Sequence, residues 1–262
     1  MEDSREFGQR PKVDDYGDHV LVVYYGVDDG ELVEVHCYVT GHAIVTLRQE
    51  SCPTLHAAHD RLARVDPRSE EEAVYRVLDA LTDSYFPALE ALSDEIDELE
   101  EEASTSVDPD VRARIFDVRR RLVALRRVVG PQRDMFTMLG GTIDRLPGLD
   151  VDEAHDYFRD IHDHLLNIAD IIDSSRELLT GALDLHASGV NQRVNQVTKQ
   201  LTLIATIFLP LTFVTGFFGQ NFGWMVDGVT TATDFFVYGV GGLVAASVVL
   251  VVYFVRSGFF ES

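Results

Sequence analysis

Thr212 to Met225 reads TFVTGFFGQNFGWM and sits between the only two uncharged apolar stretches of membrane length in the chain. It sets a short polar turn, Gly219–Gln220–Asn221, at the end of the first stretch. Amide and carbonyl oxygens at a membrane surface can hold or replace the water shell of a cation. The first stretch, Leu201–Phe218, reads LTLIATIFLPLTFVTGFF, and the second, Phe235–Val255, reads FFVYGVGGLVAASVVLVVYFV. Crossing the hydrocarbon core takes about 20 apolar residues at roughly 1.5 Å rise each. Both stretches meet that length, and neither has the layout of a signal peptide. The competing reading is a pair of buried core helices.

Flanking charge sets the topology. Arg193 and Lys199 precede the first stretch and Arg256 follows the second, whereas the loop 219–234 carries Asp227 and Asp234 and no Lys or Arg. Positive residues stay on the cytoplasmic side, so the loop is expected outside and both termini inside, in the cell inner (plasma) membrane. The chain then divides into a cytoplasmic region 1–150, a stalk 151–200, a first span 201–218, the external loop 219–234, a second span 235–255 and a tail 256–262. The 44 acidic against 22 basic residues give a net charge of −22, which repels nucleic acid and attracts cations. Cys37 and Cys52 lack metal-type spacing and suit unpaired thiols in a reducing cytosol.

Inside the cytoplasmic region, strands come first. His19–Val27, Leu32–Val39 and Ala43–Leu47 are β-branched and aromatic runs separated by Asp28–Asp29–Gly30 and Thr40–Gly41–His42, which predicts a three-stranded antiparallel sheet. A short helix is predicted over Thr54–Val65. A longer one follows from an N-cap at Ser69 to Glu102, with Tyr75, Leu78, Leu81, Leu89, Leu92, Ile96 and Leu99 on one face and a bend at Pro87. Asp108–Pro109 opens another, whose arginines from Arg112 to Arg127 oppose the acidic run Asp94–Glu102; an antiparallel hairpin brings the two together. Gly130–Pro131 and Gly140–Gly141 are expected to interrupt it, and Pro147–Gly148 to end the region. From Asp152 no proline occurs until Pro210, and Phe158, Ile161, Leu165, Ile168, Ile172, Leu179 and Leu183 form an apolar stripe. This predicts one helix of roughly 65 residues running into the first span and stabilised by partners in an oligomer. The fold class is an α+β membrane protein with a small N-terminal antiparallel sheet and helices, a long stalk helix and two C-terminal transmembrane helices.

Asn195, Thr198, Leu201, Ala205, Leu209, Thr212 and Gly216 share one helical face that alternates polar with small and apolar positions. The face suits either a pore lining, with Leu201 and Leu209 as constrictions, or helix-on-helix packing. Mg2+ dehydrates reluctantly, so neutral amide and hydroxyl oxygens that accept hydrogen bonds from its waters are a sensible filter. Other metal-ligating candidates are His155, Asp156, Asp160, His162, Asp163 and His164 on the stalk, with Asp160 and His164 one turn apart. The alternative there is a solvated face, with Arg159 paired to Asp163. Asp94, Asp97, Glu98, Glu101 and Glu102 are candidates by density alone. No phosphate loop, nucleophile motif or HExxH occurs, which points away from an enzyme.

Asn195–Asn221, NQVTKQLTLIATIFLPLTFVTGFFGQN, resembles the pore segment of the CorA family of divalent-cation channels. The likeness runs back through Tyr157–Leu183 (YFRDIHDHLLNIADIIDSSRELLTGAL), forward into the second span, and to Arg10–Pro11–Lys12 and Asp14–His19, which resemble the link into that family's sheet. It implies a pentameric funnel in which the first span lines a central pore and the second lies outside. It implies uptake of hydrated Mg2+, with Co2+ or Ni2+, no covalent cofactor, and a ZntB-like branch that handles Zn2+. It also implies regulatory Mg2+ between neighbouring cytoplasmic domains, for which Asp94, Asp97, Glu98, Asp160 and His164 are the candidates. The family's Gly-Met-Asn loop stands here as Gly219–Gln220–Asn221: glycine permits the turn and Asn221 supplies amide oxygens, while Gln220 replaces an apolar methionine. The family commonly ends in a lysine run, against the single Arg256 here. Its members also have an additional initial strand-rich segment, so the true start is expected upstream or the chain is naturally shortened. The competing functions are a Zn2+ transporter of the same architecture and a non-conducting membrane-anchored oligomeric scaffold.

Overall fold

The computed structural model describes residues 7–65, 67, 70–143, 151–220, 222–228 and 231–256. Two compact units divide at Gly189/Val190. In the first, four strands, β1 (Lys12–Asp15), β2 (Val20–Asp28), β3 (Glu31–Thr40) and β4 (Ala43–Arg48), form an antiparallel meander in chain order. Five helices belong to this part of the chain: α1 (Pro53–Arg64), α2 (Glu70–Asp83), α3 (Tyr85–Thr105), α4 (Pro109–Ile143) and α5 (Val151–Phe218). The sheet has one strand more than the sequence predicts. Lys12-Val-Asp-Asp is too short and acidic to read as a strand, yet it pairs in register with β2 from Lys12↔Val23 to Asp15↔Val20.

Local chemistry fixes the hairpins. Asp29 and Gly30 both have positive φ, at 48° and 80°, between the paired residues Asp28 and Glu31. Two such residues match the right-handed strand twist, and glycine takes the conformation at no steric cost. At the next turn Thr40 Oγ1 accepts from Ala43 N–H at 3.0 Å. Strand β2 is buried along nearly its whole length, as its unbroken apolar run requires.

Because β1 stops opposite Val23, the later β2 amides need partners from the helices. Tyr25 N–H donates to Gln132 Oε1 at 2.7 Å and Val27 N–H to Ser84 Oγ at 2.8 Å, while the Tyr85 hydroxyl donates to the Tyr25 carbonyl at 3.1 Å. A Cβ at Gly26 would lie 2.9 Å from Leu81 Cδ2 and 3.0 Å from Ser84 Oγ, so only glycine lets this corner sit against the strand. The corner explains why the predicted helix from 69 to 102 is two helices, broken at Ser84 rather than bent at Pro87. Gln132 is fully buried in α4. Gln132→Ala strips the partner from a buried amide and should lower stability by about 1–3 kcal/mol. Thermal unfolding of the detergent-solubilised protein checks this, and an unchanged midpoint contradicts it.

Helix α4 runs through Gly130–Pro131 and Gly140–Gly141, where interruptions were expected. Proline costs one intrahelical bond there. The flanking Val128, Val129, Gln132, Met135 and Phe136 are all buried, and their packing holds the helix across it. The α3–α4 hairpin joins the opposite charges as expected, through Arg114–Glu102 at 2.6 Å and Arg121–Glu95 at 2.7 Å. Phe158, Ile161, Leu165, Ile168, Ile172 and Leu179 are all buried, so the apolar stripe of α5 is core. Cys37 and Cys52 are buried free thiols, and burial pushes Cys37 up to about 12. Ser69 and Pro147–Gly148 lie outside the described residues.

In the second unit, α5 continues to Phe218, followed by α6 (Gly223–Gly228), α7 (Ala232–Asp234), a π-helical stretch Phe235–Val240, and α8 (Gly241–Arg256). Two helical segments here are long and apolar enough to cross a membrane.

Candidate functional site

The α5 face named from sequence is open in the single chain: Asn195, Thr198, Leu201, Ala205, Leu209, Thr212 and Gly216 are all exposed. Leu209 is 75% exposed, and Phe208 and Phe213 beside it are similarly bare. Apolar surface of this extent demands lipid or protein neighbours. The threonines have a defined polarity. Thr202 donates to the Thr198 carbonyl at 2.8 Å, Thr206 to Thr202 at 2.7 Å, Thr212 to Phe208 at 2.8 Å and Thr215 to Leu211 at 2.9 Å. With each hydroxyl proton committed to the helix, the oxygen presents only lone pairs. That polarity suits the outward-pointing hydrogens of a cation's water shell.

The helix end is built for a tight turn. Gly219 N–H donates to the Thr215 carbonyl at 2.9 Å and Gln220 N–H to that of Phe217 at 3.2 Å. A Cβ on Gly219 would press the carbonyls of Thr215 and Gly216 at 3.2 and 3.4 Å, so the glycine is required by close approach. Gln220 is exposed, and its carbonyl accepts from Phe222 N–H at 2.8 Å. Asn221 lies outside the described residues. The second helical segment starts from a capping box, with Thr231 Oγ1 accepting from Asp234 N–H and Asp234 Oδ2 from Thr231 N–H.

A second site lies between α2 and α5. Asp160 and His164 of α5 meet Asp79 of α2, and one ligand atom from each lies within 4.8 Å of the others. His164 Nδ1 is 3.6 Å from Asp79 Oδ1 and 3.7 Å from Asp83 Oδ1, and its Nε2 is 3.9 Å from Asp160 Oδ1. These separations are too long for hydrogen bonds and leave room between the donors. Asp79 Oδ1 and His164 Nδ1 are buried atoms without hydrogen-bond partners, and both have lone pairs of the kind that ligate a cation. Tyr75 positions the group: its hydroxyl donates to Asp160 Oδ2 at 2.6 Å and its ring stacks on Tyr157 at 4.8 Å. The Phe86 ring meets His164 edge-on at 6.1 Å. Burial, then the Asp83 carboxylate, push Asp79 up to about 6; His164 and Arg61 oppose the shift.

The raised value fixes the sign of two pH effects. The fold favours neutral Asp79, so its contribution to stability is present below the ordinary carboxylate value near 4 and is lost as pH rises through about 6. A cation here needs the Asp79 carboxylate ionised and the His164 imidazole neutral, so affinity should fall as pH drops through about 6. Co2+ titrations across this range check the slope; a pH-independent affinity contradicts it.

The structure thus groups Asp160 with His164, as their spacing suggests, and adds Asp79. Asp156 and Asp163 are exposed, Arg159 approaches Asp156 at 3.9 Å rather than Asp163, and His162 pairs with Asp163 at 3.6 Å. The side chain of His155 lies outside the described residues. Asp94, Asp97 and Glu98 are exposed on α3 and belong to no three-residue metal cluster among the described residues.

A family model described as CorA-like Mg2+ transporter protein matches residues 2–256. The cobalt/magnesium transport protein CorA of Thermotoga maritima is 32% identical over 264 residues, covering 97% of this chain and 74% of that protein. The zinc transport protein ZntB of Yersinia enterocolitica is 30% identical over 234 residues, covering 87% and 69%. The complete structure of the CorA magnesium transporter from Methanocaldococcus jannaschii superposes with a TM-score of 0.84 at 25% identity, covering 95% of this chain and 80% of that one.

Proposed function

The chain belongs to the CorA-like Mg2+ transporter family, and we propose that it takes up Mg2+ and Co2+ through a central pore lined by the exposed α5 face of several copies. The observation that carries this is the uncharged face from Asn195 to Gly216, on which the Thr212 hydroxyl oxygen is limited to accepting hydrogen bonds. Such a face passes a cation that keeps its water. Gly219, Gln220 and Asn221 form the outer mouth, with the amide of Asn221 as the first partner for arriving hydrated ions. The assembly is a homo-oligomer, a pentamer by family likeness, in the inner membrane with both termini cytoplasmic. A negative interior supplies the work: two charges gain about 4.6 kcal/mol per ~100 mV.

Asp79, Asp160 and His164 are proposed to hold a regulatory divalent cation. Two carboxylates and an imidazole bind Co2+ or Ni2+ directly and Mg2+ through one or two carboxylates and retained water. The bound charge relieves the crowding of Asp79, Asp83 and Asp160.

A second reading, zinc transport, is favoured by the ZntB relative together with Gln220 in place of methionine. Competition separates the two. Radiolabelled Co2+ uptake into protein-bearing liposomes, inhibited by Mg2+ and insensitive to low Zn2+, supports the first reading; inhibition by Zn2+ alone supports the second. No uptake by folded, oligomeric protein favours a scaffold.

A further inference from the structure

A cavity of 360 Å3 opens between the end of α1 and the side of α2, lined by Ala58, Arg61, Arg64, Val65, Arg76, Asp79, Ala80 and Asp83. Its size falls in the range of small-molecule sites. Arg61 and Arg64 line the α1 side, and Arg76, Asp79 and Asp83 line the α2 side. Arg76 is already held, donating to Glu72 Oε1 at 2.6 Å and the Val65 carbonyl at 3.2 Å, and Arg61 Nε donates to the Ala57 carbonyl at 3.4 Å. Arg64 makes no hydrogen bond or ion pair among the described residues, and with Arg61 it occupies the last turn of α1. An anion alone would meet the arginines and be repelled by Asp79 and Asp83. A cation alone would meet the reverse. Asp79 is common to this cavity and to the cluster with Asp160 and His164, and its Oδ1 is buried without a hydrogen-bond partner.

We infer that the cavity binds a divalent cation together with a polyphosphate, of the nucleoside triphosphate class, the cation on Asp79 and the phosphates on Arg61 and Arg64. Mg2+ is held in proteins by one or two carboxylates plus phosphate oxygens, with waters completing the shell. Arginine forks match phosphate oxygens in pairs. The inference rests on the reading of Asp79, Asp160 and His164 as a metal site, and extends it from free Mg2+ to Mg2+ carried by its nucleotide chelate. Cytoplasmic nucleotide would then tune the site that regulates uptake.

Calorimetry on the full-length protein in detergent tests this with four probes: Mg2+ alone, ATP in EDTA, ATP with excess Mg2+, and pyrophosphate with excess Mg2+. The expected result is Mg·ATP binding at least tenfold tighter than ATP in EDTA. It should weaken tenfold or more in Arg64→Ala and in the Arg61→Ala/Arg64→Ala pair, with Co2+ affinity retained in the first and retained or raised in the second, since Arg61 is a positive charge acting on Asp79. Retained Co2+ affinity also reports that the variants fold. Mg·pyrophosphate binding as tightly as Mg·ATP places recognition in the phosphates alone. Metal binding to the cluster without nucleotide binding, or nucleotide binding indifferent to Arg61 and Arg64, overturns the inference and leaves the metal site standing. Absence of Co2+ binding to the wild-type cluster overturns the metal site and this inference with it.

Discussion

Asn221→Ala is expected to abolish potential-driven Mg2+ entry while leaving folding and assembly intact. The proposal makes Asn221 the first group to meet an incoming hydrated ion, and alanine has no acceptor for its waters. One amide–water hydrogen bond contributes about 1 kcal/mol. A ring drawn from several copies sums to several kcal/mol, roughly a thousandfold in occupancy of the mouth. The position follows directly on Gly219 and Gln220, whose backbone bonds close the end of α5. Gln220→Met is the matched control. It restores the apolar residue of the wider family and should keep Mg2+ entry, shifting ion preference instead. Dye-loaded vesicles and size-exclusion chromatography measure both quantities; entry persisting in well-assembled Asn221→Ala protein removes the mouth from the mechanism.

The second large effect is expected from Asp160→Asn. The carboxylate faces His164 Nε2 and accepts the Tyr75 hydroxyl, and it is about half exposed. Its loss takes a charged ligand from the cluster without opening a cavity, so stability should change little. Co2+ affinity should fall at least ten- to a hundredfold, the range for disturbing a metal's immediate surroundings. Inhibition of uptake by internal divalent cation should be lost in parallel. Titration of Co2+ absorbance, read beside uptake into Mg2+-loaded vesicles, reports both. Lost affinity with intact inhibition would make the cluster a metal site without a regulatory role.

What could be read in the sequence was what depends on neighbours along the chain. The two spans, the Asp29–Gly30 hairpin, the α3–α4 charge pairing and the stripe of α5 all follow from local composition and periodicity. Contacts between distant segments were not legible. Lys12–Asp15 becomes a strand because β2 offers it an edge, whatever its own propensity. The break at Ser84 exists because Val27 N–H and Gly26 draw that corner onto the sheet. Pro131 is tolerated because packing on both sides exceeds the loss of one hydrogen bond. The candidate metal cluster illustrates the same limit. The one-turn spacing of Asp160 and His164 is visible, but Asp79 sits on another helix and carries no signal beyond its own i,i+4 partner, Asp83. Neighbouring His162 and Asp163 look equally promising in sequence, and the fold brings neither into the described cluster.

The decisive experiment is Mg2+ entry into liposomes bearing the purified full-length protein, loaded with an Mg2+-sensitive dye and held at a series of imposed potentials. A pore lined by the α5 face predicts entry without ATP that rises as the interior becomes more negative. Entry independent of potential, or none from protein shown to be folded and oligomeric, would contradict a conducting pore.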